Sequence, residues 1–138
     1  MPRQRSRTLS QAALKASVRK RIRSLYRSFD LGEWERCYAF IDPVLRAASR
    51  IEPERYAESL GVFSQRYGKV NIWFIGLSLH TGTPARRDAR PFAYAYVLWQ
   101  DDRKAFHLFR ERWVYHVGRW YTRVVGLVAY EEADGRGE

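Results

Sequence analysis

One carboxylate in this chain stands where an acid could do chemistry. Residues 105–117 alternate as a strand, with His107, Phe109, Glu111, Trp113, Tyr115 and Val117 on one face. The other face carries Phe106, Leu108, Arg110, Arg112, Val114 and His116. Two arginines mark that second face for solvent or an interface. The first face is then inward, and Glu111 lies on it between Phe109 and Trp113. A carboxyl held between aromatic walls loses hydration, so its pKa rises and it becomes a usable acid or base. Glu111 is the candidate general acid or base, and His107 the candidate partner in proton transfer. Tyr94 or Tyr96 is a candidate donor to a developing oxyanion.

Turn lengths decide which residues surround Glu111. A two-residue turn at Asp101-Asp102 sets Tyr96 opposite His107 and Phe92 opposite Glu111. A two-residue turn at Gly118-Arg119 sets Val117 opposite Trp120 and Glu111 opposite Gly126. On this reading the inner face holds Phe92, Tyr94, Tyr96, His107, Glu111, Trp113, Thr122 and Gly126. A glycine beside a carboxylate leaves space for water or a small ligand. A turn shifted by one residue moves the pairs by two and keeps the parity, whereas a three-residue turn flips it. The competing structural reading pairs Glu111 with an arginine such as Arg66, or leaves it at an open rim.

Other reactive side chains offer less. Asp42 precedes Pro43, so a helix cap explains it. His80, His107 and His116 lack metal-ligand spacing with acidic partners, and no phosphate-binding glycine loop or serine elbow is present. No metal and no cofactor are expected. The single Cys37 excludes an internal disulfide, falls in a helical pattern, and fits a reducing cytoplasm.

The elements that must position these residues follow from periodicity. Leu14, Val18, Ile22, Leu25 and Phe29 form one stripe of a helix that breaks at Gly32. A short helix carries Trp34, Cys37, Tyr38 and Ile41, and Asp42-Pro43 starts another turn. Tyr56, Leu60, Phe63 and Tyr67 share a side of a further helix that follows Glu52-Pro53 and ends at Gly68. Strands are predicted over 70–80, 92–100, 105–117 and 119–128, with a loop from Thr81 to Pro91. Helices followed by a meander of strands make an α+β domain.

The net charge of +10 is uneven. Residues 1–29 hold nine Lys/Arg and no acid, while the remainder carries sixteen basic and fifteen acidic side chains. Arg19, Lys20 and Arg23 are the candidate contacts to nucleic acid or to an anionic membrane surface. The alternative is a solvated basic face on a docked helix. The acid-free, Arg- and Ser-rich start also has the composition of an organellar transit peptide. No stretch is apolar enough to span a bilayer. Residues 1–9 are expected to be a disordered basic tail, 10–130 a single domain, and 131–138 a frayed tail. Val114, Tyr121, Val125 and Leu127 among the arginines of the outer face suggest a homodimer.

The helix order, the Phe40-Ile-Asp-Pro43 step and the terminal Trp113…Gly118-Arg119-Trp120-Tyr121 hairpin resemble the nuclear transport factor 2-like superfamily over residues 10–128. SnoaL-like cyclases and ketosteroid isomerase-like enzymes share that cystatin-like cone. The resemblance implies a curved sheet of about four strands wrapped on N-terminal helices, a pocket in the cone and frequent dimers. It does not choose among enzymes, transport factors and binding modules. The expectation is a small apolar or aromatic ligand held by Phe92, Tyr94, Tyr96, Trp113 and Gly126. The alternatives are an isomerase, dehydratase or cyclase using Glu111, and an accessory module using the basic N-terminus.

Overall fold

Ser10 opens the first helix by accepting a hydrogen bond from the Ala13 N–H at 3.0 Å. This helix, α1, runs Gln11–Asp30 in the computed structural model, which describes residues 10–49, 51–81 and 90–123. Expectations that fall on residues 1–9, on 82–89 of the predicted loop, or beyond Arg123, including Val125, Gly126 and Leu127, lie outside the described residues. Val18, Ile22, Tyr26 and Phe29 are the buried stripe of α1. Gly32 then turns the chain at φ 72°, a region that glycine enters without cost.

Three further helices follow: α2 (Trp34–Ala39), α3 (Pro43–Ser49) and α4 (Pro53–Tyr67). Pro53 occupies the first turn of α4, where its missing N–H costs nothing. Tyr56, Leu60 and Phe63 are buried along its inner side. Gly68 ends α4 at φ 73°, and a Cβ there would lie 1.9 Å from Asp102 Oδ2. That close approach ties the end of the helix to a sheet turn, where the Asp102 N–H donates to Tyr67 O at 3.1 Å.

The strands are β1 (Asn71–His80), β2 (Phe92–Gln100), β3 (Phe106–His116) and β4 (Arg119–Thr122), paired in that order as an antiparallel meander. The fold class is α+β: helices followed by a curved, unclosed four-stranded sheet, consistent with a nuclear transport factor 2-like cone. A parallel bridge from Ile41 to Thr122 stitches the α2–α3 link to β4. Aromatic side chains fill much of the space between helices and sheet. The Phe63 ring lies 5.5 Å from Phe29, 5.8 Å from Trp99 and 6.1 Å from Phe109, and Trp99, Trp113 and Trp120 are fully buried.

The β3 parity read from sequence holds, but the β2 parity does not. The loop between β2 and β3 has three residues between the Asp101–Ala105 pair, not two. The Asp101 N–H donates to Ala105 O at 2.9 Å, and Lys104 takes φ 73°. This is a turn closed by one left-handed residue, a common three-residue hairpin. The Asp101 side chain fixes it by accepting from the N–H groups of Arg103 (2.8 Å) and Ala105 (3.0 Å). The observed partners are Ala93↔Trp113, Ala95↔Glu111, Val97↔Phe109 and Trp99↔His107. Tyr94 and Tyr96 pair with Arg112 and Arg110 and share their outer face.

The last hairpin turns one residue earlier than expected, at Val117-Gly118, with φ 48° and 83°. Trp113 then faces Thr122 and Tyr115 faces Trp120, so the expected inward placement of Trp113 and Thr122 stands.

Candidate functional site

Ala93, Ala95 and Val97 of β2 pair with Trp113, Glu111 and Phe109 of β3, and Tyr26 reaches the Glu111 carboxyl from α1. Glu111 is 2 % exposed. Its Oε1 accepts from Trp113 Nε1 at 2.8 Å, and its Oε2 meets the Tyr26 hydroxyl. Burial is the dominant influence and pushes the Glu111 pKa up, with the Tyr26 and Trp113 hydrogen bonds opposing it incompletely. No basic side chain among the described residues contacts this carboxyl. The groups that act on its pKa are Tyr26 and Trp113 and not Arg66, the alternative partner, whose guanidinium lies over the Tyr67 ring.

Tyr26 is the partner that sequence reasoning missed. It sits four residues after Ile22 and three before Phe29, so it belongs to the same helical stripe. The stripe drawn through Leu25 passes one position to its side. Behind it, the Tyr56 hydroxyl points to Cys37 O at 3.5 Å. Burial, then the charges of Cys37 and Glu111, raise the Tyr56 pKa. Burial also pushes the Cys37 thiol up to about 12, which makes it an inert core residue.

His107 is inward, as expected, but it does not reach Glu111. Four strand residues separate them, roughly 13 Å, with Phe109 between. His107 Nε2 is 2.8 Å from Asp101 Oδ2, and its ring stacks on Trp99 with centroids 4.3 Å apart. Its hydrogen bond to Asp101 is the main reason that carboxyl is held below its ordinary pKa. His107 thus anchors the β2–β3 turn.

The expected ligand wall is divided between two faces. Trp113 is inward beside Glu111, whereas Phe92, Tyr94 and Tyr96 face outward. Phe92 is stacked on His80 at 4.8 Å and covered by the Arg112 guanidinium at 4.5 Å; Arg110 lies 5.7 Å from the Tyr94 ring. Gly126 lies outside the described residues. Arg19, Lys20 and Arg23 are exposed on α1, away from its buried stripe.

Asp42 has a larger role than a cap. It accepts from the Val44 N–H at 3.2 Å, and it also receives Arg90 through both carboxylate oxygens (2.8 and 2.9 Å) and Arg123 at 2.8 Å. Burial works to raise its pKa, but the hydrogen bonds from Arg90, Val44 and Arg123 outweigh it and hold the carboxyl low. Arg90 precedes β2 and Arg123 follows β4, so Asp42 locks the α2–α3 link to both strands.

The outer sheet face carries apolar residues other than the expected ones. A bulge between Ile72 and Phe74 puts both Trp73 and Phe74 outside, at 58 % and 60 % exposure. Phe106 and Leu108 join them at 51 % and 59 %, and the Trp73 and Phe106 rings touch edge-on at 5.1 Å. Phe74 pairs with Leu98, which pairs with Leu108, so the patch runs across three strands. Val114, expected in this surface, is 1 % exposed and does not contribute to it.

Among the described residues, no three His, Cys, Asp or Glu side chains converge as metal ligands, and no helix is long and apolar enough to cross a membrane. Comparison with family models, with curated proteins and with solved structures returned no match to this chain.

Proposed function

We propose that this protein is a homodimeric association module whose outer sheet face takes a second copy of the same chain. The carrying observation is the continuous apolar patch of Trp73, Phe74, Leu98, Phe106 and Leu108 across β1, β2 and β3. Contiguous apolar surface of this kind marks an interface, because leaving it in water forfeits the hydrophobic term. The arginines Arg110 and Arg112 border the patch and lie over aromatic rings, which suits the polar rim of an interface. A face shared by two identical copies needs only to be complementary to itself about a two-fold axis.

Area sets the expected strength. The three long strands have 10, 9 and 11 residues. They span a face of roughly 30 Å by 15 Å, about 500 Å² per copy before side-chain relief. Two copies bury about 1,000 Å², at the lower bound for specific association, so micromolar affinity is expected. The catalytic alternative has less geometric support, because Glu111 is buried with both oxygens engaged.

Sedimentation velocity from about 1 to about 100 μM tests the reading, since the expected Kd lies inside that range. A concentration-dependent shift from monomer to dimer is expected, and Trp73→Glu or Leu108→Glu should hold the monomer with an unchanged circular dichroism spectrum. A wild-type monomer at the top of the range would end it.

A further inference from the structure

A cleft of about 460 Å³ lies between the second half of α1 and α2, on the helical side and away from the sheet face. Arg21, Arg27 and Arg36 line it with Ser24, Ser28 and Phe40, and Glu33 is the one acid in its wall. The geometry points to this cleft as a binding site for a small phosphate monoester carrying an apolar or aromatic body.

Arg21 is the centre of the argument. Its Nε donates to Trp120 O at 2.9 Å, and its guanidinium lies 4.1 Å from the Phe40 ring and 5.5 Å from that of Tyr121. These contacts fix the plane of the group. Among the described residues no carboxylate meets it, and both Nη groups have no protein acceptor. A fixed, half-buried fork of donors without an anion suits bidentate recognition of phosphate. Burial is the leading influence on Arg21 and acts against its charge, a cost that a bound anion would offset.

Ser28 is an independent pointer. It is 5 % exposed, lines the cleft, and its hydroxyl has no hydrogen-bond partner among the described residues. Elsewhere in these helices Ser17 and Ser59 return their hydroxyls to the carbonyls of Leu14 and Tyr56. The Ser28 hydroxyl is not one of the fully buried unpartnered side-chain atoms among the described residues, so it keeps access to the cleft and is free to donate to an anion there. Three arginines and one glutamate leave the wall at +2, which matches a phosphate monoester near −2 at neutral pH. Glu33 holds Arg36 only loosely, at 3.9 Å. Phe40 supplies a buried apolar surface for the ligand body, Leu31 and Ala39 an exposed apolar rim, and the volume falls in the range of small-molecule sites.

The test is isothermal titration of the full chain with phenyl phosphate and with inorganic phosphate at fixed ionic strength. Saturable binding is expected, tighter for phenyl phosphate. Arg36→Gln should weaken it about five- to tenfold and Arg21→Lys at least about tenfold, as loss of charge-assisted bonds predicts. Ser28→Ala should weaken it about threefold, and Arg55→Gln, exposed on α4 outside the cleft, should change nothing. If Arg21→Lys fails to fold, Arg36→Gln and Ser28→Ala carry the test. Absence of saturable binding, or equal losses in Arg55→Gln and Arg36→Gln, would overturn the site.

Discussion

Replacing Glu111 by Gln should leave the protein as stable as wild type in acid and make it more stable at neutral pH. The perturbation is nearly isosteric with the protonated acid. Gln Oε1 accepts from Trp113 Nε1 as Glu111 does now, and Nε2 donates to Tyr26 Oη. Below the unfolded carboxyl's pKa of about 4.3, Glu111 is neutral in both states, so variant and wild type should agree within about 0.5 kcal/mol. As pH rises above that value, the unfolded chain releases the proton while the folded chain retains it, because burial raises the folded pKa. The folded state then binds more protons, and wild-type stability falls with pH at a slope approaching about 1.4 kcal/mol per unit from this group. The loss ends once pH passes the folded pKa. Glu111→Gln lacks this slope, so the difference between the two proteins grows over the same window. Asp42 and Asp101 carry the opposite sign: their pKa values are depressed, and their stabilisation is lost as pH falls below about 3.9. Subtracting variant from wild type cancels them. Urea unfolding followed by Trp fluorescence at half-unit steps from pH 4 to 8 reads the difference directly. A constant deficit for Glu111→Gln across that range would refute the argument, because it would mean that the buried carboxyl is ionised throughout. Glu111→Ala serves as contrast: it removes the acceptor of the buried Trp113 indole N–H, at a cost of about 1–3 kcal/mol, and adds a void.

Val117→Asn should stabilise the protein by about 0.5–1 kcal/mol, because a β-branched residue at φ 48° is strained where asparagine is favoured. Calorimetry showing an unchanged or lower Tm would contradict that reading of the turn. Asp42→Asn should cost about 2–4 kcal/mol, since it retains a cap acceptor but leaves Arg90 and Arg123 without their carboxylate. Water screens the cluster in part, because those arginines are 19 % and 29 % exposed. Chemical denaturation at pH 7 checks it, and a loss below about 0.5 kcal/mol would show the cluster to be a surface pair in effect.

The helices were legible because their information is local. Val18, Ile22 and Phe29 are spaced by the helix itself, Pro53 announces the start of α4, and Gly68 ends it. The sheet order was legible for a related reason: strands consecutive in sequence usually lie side by side, and the β2–β3 and β3–β4 turns are short. What composition could not reveal was the chemistry of one loop. Asp101 accepts from Arg103 and Ala105, and so favours a three-residue loop over the two-residue turn that Asp101-Asp102 suggested. Asp101 can do so because His107, six residues on, holds its other oxygen from inside the sheet. That contact is tertiary and leaves no mark on local spacing. The Asp42 cluster is opaque for the same reason, since Arg90 and Arg123 lie 48 and 81 residues away in sequence.

The consequence of that one loop residue reaches the functional reading. Alternation has period two, so an extra residue exchanges the whole of β2 between faces. Inside, Ala93 and Ala95 replace the expected Tyr94 and Tyr96 beside Trp113 and Glu111. Small side chains there leave room against the sheet, and the Tyr26 hydroxyl from α1 meets the carboxyl beside them. The carboxyl is thereby satisfied from the helix layer and lies buried between helix and sheet. Outside, the displaced tyrosines join Phe74, Leu98 and Leu108, and the bulge at Trp73 adds one more aromatic ring to the same surface. Aromatic residues that sequence would assign to a pocket wall thus lie on the outer face of the sheet. The same parity that closes the cone chemistry around Glu111 supplies the apolar patch on which the association reading rests.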